Sequence, residues 1–271
     1  AWGTDGRAYF ADWIGGYPLD GKGAIWRFDV APNVDKTSEQ FLSKPFSVSV
    51  PKDELLALLG HRDQRVRVNA SIRLDRLGAW DDMLALAKKP EANRFARIHA
   101  IWGYGMGLRH GKIADIEASL SLLEDADSEI RVQALKVLSE TKPTEELIAK
   151  ATAQLGHKDF RVRIQAGLTL GKLGGKVPFV AFLQDADADL QLPWLRHGLV
   201  SGLAGTQSAE TLLATAQAES GAKATFATLA LVRQKSPLLG KLLEHPNPDV
   251  VNEAARAIHD DEGIPASAGA L

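Results

Sequence analysis

Three stretches of this 271-residue chain line up without a gap: "HRDQRVRVNA" (61–70), "DADSEIRVQA" (125–134) and "HKDFRVRIQA" (157–166). Weaker copies are "EANRFARIHA" (91–100), "DADADLQLPW" (185–194) and "HPNPDVVNEA" (245–254), and "AESGAKATFA" (218–227) keeps little beyond its final alanine. Matching that final slot gives Ala70, Ala100, Ala134, Ala166, Trp194, Ala227 and Ala254, spaced by 30, 34, 32, 28, 33 and 27 residues. A period of this size is the length of one helical hairpin, and self-similarity at fixed period signals a stacked repeat architecture.

Within each unit the sequence predicts a short first helix, a turn and a longer second helix. Apolar residues of the second helices recur at spacings of three and four: Val66, Ala70, Leu74 and Leu77; Ile130, Ala134 and Leu138; Val162, Ala166, Leu170 and Leu173. That spacing puts them on one helix face. The first helices offer a matching stripe, as in Leu55, Leu56 and Leu59. One hairpin cannot bury both stripes, so neighbours must share a continuous core. The expected fold is mainly α, a right-handed α-α superhelix of about seven hairpins over residues 53–262.

The turns carry their own chemistry. Asp63, Asp127 and Asp159 stand where a side-chain oxygen can cap the second helix. Arg67, Arg131 and Arg163 follow four residues later, a spacing at which carboxylate and guanidinium lie on the same side of a helix and can pair, within a repeat or with the next one. Repetition of these groups along the chain marks them as structural caps and ion pairs rather than a catalytic set. Repeat five departs from the pattern: Gln191 stands in the arginine slot, Pro193 falls where the second helix should be running, and Gly198 and Gly202 are expected to loosen it. Trp194 and Arg196 in this irregular unit are candidate contact residues.

Composition narrows function by exclusion. A formal net charge of −2 supplies no basic surface for nucleic acid. No apolar run approaches the roughly 18 residues of a membrane span. With no cysteine these residues hold no disulfide, thiolate zinc site, iron–sulfur ligand or covalent haem. His61, His157 and His245 share one turn slot, about three repeats apart, and so cannot meet around one ion. "GKLGGKV" (171–177) and "DGKG" (20–23) lack the spacing of a phosphate loop. The Asn69–Ser71 sequon lies inside a predicted helix. No catalytic, cofactor-binding or metal residue is assigned.

The repeat with its "D-x-x-V-R-x-x-A" turn resembles the HEAT-repeat group, particularly its short bacterial units, over about 200 residues. The resemblance implies a scaffold or binding surface.

The first 30 residues read differently. "RAYFADW" (7–13) and "GAIWRFDV" (23–30) have strand composition and near-alternation, with Ala24, Trp26, Phe28 and Val30 on one face. A lone hairpin is marginal in water, so this one needs packing partners. Strand, "DW", a glycine-rich loop with Tyr17, "GKG" and "IWRFD" look like the closing blade of quinoprotein-type sugar dehydrogenase propellers, a group in which HEAT-like repeats and often a cytochrome c domain follow. "EAARAIHDDEGIPA" (253–266) is similar to the end of the HEAT region in that group. The resemblance implies a periplasmic or extracellular parent protein using pyrroloquinoline quinone, calcium and haem, with none of these held by this chain. It makes residues 1–30 a blade remnant, 31–52 a linker, 53–262 the repeats and 263–271 a tail, and it adds Trp13 and Tyr17 to the candidate contact residues. The start at Ala1 is read as that of a fragment or processed product. The partners expected are neighbouring domains of a parent chain or another protein. Two other readings stay open: a free-standing HEAT-repeat binding module with the hairpin as a cap, and a lyase-like helical-repeat enzyme centred on repeat five.

Overall fold

In the computed structural model the described residues are 3, 7–12, 23–28, 37–261, 263 and 264. They fall in two compact units, 1–104 and 105–271.

The first unit opens with strands β1 (Ala8–Asp12) and β2 (Ala24–Phe28), paired antiparallel so that Phe10 faces Trp26 and Asp12 faces Ala24. Phe10 and Phe28 meet edge-on with ring centroids 5.0 Å apart, and the Trp26 indole donates to Asp12 Oδ2 at 3.2 Å. The strands bury little: Phe10, Ile25, Trp26 and Phe28 are each more than half exposed. Then come α1 (Thr37–Leu42), α2 (Lys52–Leu58), α3 (Gln64–Arg76), α4 (Trp80–Ala87) and α5 (Arg94–Arg109), the last belonging to this unit as far as Tyr104.

Residues 37–50 fall within the expected linker, yet they pack on α3. Arg73, buried in α3, donates to the carbonyls of Lys44, Pro45 and Val48 at 2.8–3.2 Å and stacks over Phe46. Phe41 and Val50 are buried beside the first repeat. A guanidinium with five donors suits this work, because it can satisfy several loop carbonyls while its face covers an aromatic ring. Helix α1 and its loop thus close the first repeat's apolar face with their own side chains.

The second unit continues with α6 (Glu117–Leu120), α7 (Ser128–Leu138), α8 (Glu145–Ala153), α9 (Phe160–Leu173), α10 (Phe179–Phe182), α11 (Ala186–Leu190), α12 (Pro193–Thr206), α13 (Ala209–Ala218), α14 (Gly221–Arg233) and α15 (Pro248–Asp260). Several first helices are partly tightened into 3₁₀ turns, at Ser121–Glu124, Gln154–Gly156 and Pro237–Leu242. The second helices α7, α9, α12, α14 and α15 stack in chain order, and residues such as Leu135, Leu170, Leu199, Leu231 and Val250 are fully buried between layers. The chain is an α solenoid of hairpin repeats preceded by a two-stranded β-hairpin.

The repeat register comes out most clearly by counting from the first residue of each second helix. The seventh position is Ala70, Ala100, Ala134, Ala166, Leu199, Ala227 and Ala254, and all seven are buried. Repeat five therefore starts its second helix five residues later than the gap-free alignment places it, and its period of 33 residues is like that of its neighbours. Trp194, placed in this slot by gap-free alignment, is 77% exposed. Pro193 does not kink α12; it is its first residue, where a missing N–H costs nothing.

Candidate interaction surface

Each regular turn is a two-step relay of caps. Asp63, Asp127 and Asp159 accept from the N–H two residues on, at Arg65, Glu129 and Arg161, each at 2.9 Å. Two residues earlier, His61 and His157 each use Nδ1 to accept the N–H of their aspartate at 3.0 Å, and Asp125 does the same with a carboxylate oxygen at 2.9 Å. His245 and Asn247 repeat the device in the last turn. The shared histidine slot is thus a hydrogen-bond acceptor that a carboxylate can replace. Nothing in the sequence reading had given those histidines a role, although the alternation of His and Asp at one position carried the signal.

The arginines four residues after the caps turn away from them. Arg67 donates to the carbonyls of His61 and Arg62, Arg131 to those of Asp125 and Glu124, and Arg163 to that of Leu155. Several turn carbonyls converge on the helix's fourth residue and take these guanidinium donors. For Asp63 the ionic partner is Arg65, whose guanidinium, 2.7 Å away, holds the carboxyl at a pKa of about 2. Arg196 is also a fourth residue, and it donates to the Leu190 carbonyl six positions back, as Arg67 does to that of His61. Repeat five has therefore kept its arginine; Gln191 lies before the helix, at the end of α11. Arg163 also forms a bidentate ion pair with Asp189 of α11, which is 2% exposed.

Repeat five differs in how it meets its neighbour. A Cβ on Gly167 would stand 2.4 Å from the Gly198 carbonyl oxygen, one on Gly171 2.3 Å from that of Ser201, and one on Gly205 2.0 Å from that of Gly171. A Cβ on Gly202 would stand 2.3 Å from the ring of Phe182 in α10. These glycines do not loosen α12. They let its backbone approach that of α9 more closely than any side chain permits.

Opposite charges link the ends of successive second helices. Glu140 pairs with Arg109 at 3.4 Å and Lys172 at 3.0 Å, and Lys235 pairs with Asp261 at 2.9 Å. Lys172 first, then Arg109, holds the Glu140 carboxyl below its ordinary range. Between Lys172 and Arg233 lies a groove of about 400 Å³, floored by Gly171, Ser201 and Gly205.

In the first unit, His99 is 2% exposed and lies edge-on to Trp102; its Nδ1 has no partner among the described residues. Burial first, and the nearby Arg67 charge second, push its pKa down to about 4. Trp13 and Tyr17 lie outside the described residues. Trp194 is an exposed second residue of its helix, the position that Phe95 holds, 53% exposed, in α5. Among the described residues no three His, Asp or Glu side chains are placed to hold a metal ion, and no helix is long and apolar enough to cross a membrane.

The HEAT-repeat family matches residues 116–204, about a third of the chain. No curated protein matches. Among solved structures, the crystal structure of an engineered protein, a Northeast Structural Genomics Consortium target, is 18% identical with a TM-score of 0.41, covering 78% of this chain and 96% of that one.

Proposed function

We propose that this chain is a non-catalytic scaffold whose stacked second helices position protein domains. The observation that carries this reading is the repetition itself. The polar groups of the regular turns are spent on caps and carbonyls, and no nucleophile–base set stands among the described turn residues, while surface charges recur along the stack. Tandem helical repeats of this kind build extended binding surfaces from small units.

In its finer form the scaffold joins the last blade of a propeller related to pyrroloquinoline-quinone-dependent sugar dehydrogenases to a further domain, in the periplasm. What supports this is the hairpin: two paired strands with four large apolar residues more than half exposed. A two-stranded sheet without a packed face is unstable alone. Hydrogen exchange on the isolated chain tests the reading. Rapid exchange at residues 8–12 and 24–28, with α7 and α9 strongly protected, is expected; protection of the hairpin equal to that of the repeats would make it an integral cap and remove the propeller. The isolated chain should show neither quinone binding nor sugar-dependent dye reduction, and either activity would end the scaffold assignment.

A further inference from the structure

Counting from the first residue of each second helix, the thirteenth position in the second unit is Met106, Glu140, Lys172, Gly205, Arg233 and Asp260. From Glu140 onward the charges run minus, plus, nothing, plus, minus. Where two such groups meet they are opposite in sign, as Glu140 and Lys172 are, and Glu140 also pairs with Arg109, three residues beyond Met106. An anionic rung would fit between Lys172 and Arg233, and Gly205 supplies none. It cannot, because any Cβ there would run into the Gly171 carbonyl. The close packing of α9 on α12 thus removes the rung and opens the groove in one step.

The groove's electrostatics follow. Arg233 is exposed and has no ion-pair or hydrogen-bond partner among the described residues. Gln234 spends its amide N–H groups on the Ala204 and Gln207 carbonyls at 2.8 and 2.9 Å. The donors left facing the space are Lys172, already shared with Glu140, and the whole Arg233 guanidinium. A guanidinium binds a carboxylate in a fixed two-pronged geometry, stronger than a neutral hydrogen bond.

We propose that this groove receives the carboxylate of an acidic side chain from a docked protein segment, which completes the ladder in trans. The inference rests on the scaffold reading and assigns it a specific contact. The test measures anisotropy of a labelled decapeptide of alternating glutamate and glycine, against its glutamine counterpart and against competition by free glutarate. The glutamate peptide is expected to bind, more weakly as salt rises, while the glutamine peptide does not. Arg233→Ala and Arg233→Glu should weaken it at least tenfold with melting curves unchanged. Lys158→Glu, which makes the same charge change as Arg233→Glu at the exposed opposite end of α9, should stay within about twofold of the parent chain. No binding, or equal loss in Lys158→Glu and Arg233→Glu, overturns the proposal. Glutarate binding as tightly as the peptide would assign the groove to a free small acid and overturn docking. If peptide binding fails while the hairpin still exchanges rapidly, the groove alone is lost and the scaffold reading stands.

Discussion

Helices α7 and α9 are joined by side chains, whereas α9 and α12 are joined by their absence. In the first junction Leu135, Leu138, Val162 and Ala166 are all but fully buried, Thr169 donates to the Leu135 carbonyl at 3.0 Å, and Arg161 pairs with Glu129 at 2.6 Å. In the second, five glycines let backbone meet backbone or ring. The two solutions fail under opposite substitutions. Leu135→Ala should cost about 4 kcal/mol through lost burial and the cavity left behind. Gly205→Ala should cost about 3 kcal/mol by adding a single methyl 2.0 Å from a carbonyl oxygen. Chemical denaturation of both variants checks this. A neutral Gly205→Ala would mean the helices can separate without penalty, and the contrast would collapse.

The glycine junction is also fixed from its side by Arg163 and Asp189. Asp189→Asn leaves a largely buried guanidinium with a neutral partner, and should cost about 3 kcal/mol. Adding Arg163→Met should recover part of that loss, because it removes the stranded charge; a double-mutant cycle with no coupling would show the pair to be incidental.

Much of this was legible in the sequence, and the misreadings of repeat five share one cause. The repeat, the helical faces and the aspartate caps all follow from local pattern, because each depends on residues a few positions apart. Repeat five misleads because the gap-free alignment sets its second helix five residues too early. Trp194 then takes the place of Leu199, Gln191 that of Arg196, and glycines that join two helices look like flaws within one. A contact between Gly205 and Gly171 is invisible to helical propensity, which counts only the cost of glycine in its own helix. The groove was unreadable for the same reason: it exists where a side chain is missing, between two cations 61 residues apart in sequence.

A side-chain junction can also bury a titratable group between its two helices, where the glycine contacts of α9 and α12 place backbone. Between α3 and α5, Ser71 donates to the His99 carbonyl at 3.3 Å, and the imidazole itself is buried near Arg67. Its folded pKa of about 4 lies below the ordinary 6.5, so the unfolded chain takes up the proton first. Stability from this site is therefore complete above about pH 6.5 and is lost as pH falls towards 4, by about 3 kcal/mol in all. His99→Phe should flatten that part of the stability profile. A profile unchanged by the substitution would mean another group sets it.

The smallest effects concern the turns, where the regular repeats have a relay and repeat five has none. His157→Ala should cost about 1 kcal/mol by leaving the Asp159 N–H without its acceptor, whereas His157→Asp should be nearly silent, since Asp125 already does this work. Leu192 is the residue before α12; its backbone is extended like that of the aspartate caps, yet it provides no side-chain acceptor. Leu192→Asp should therefore stabilise by about 1 kcal/mol, the worth of an ordinary helix cap. A loss of stability instead would show that the half-exposed Leu192 packs on something that matters more than the cap. The difference between the two kinds of turn would then be a trade for that contact rather than a cap that repeat five simply lacks.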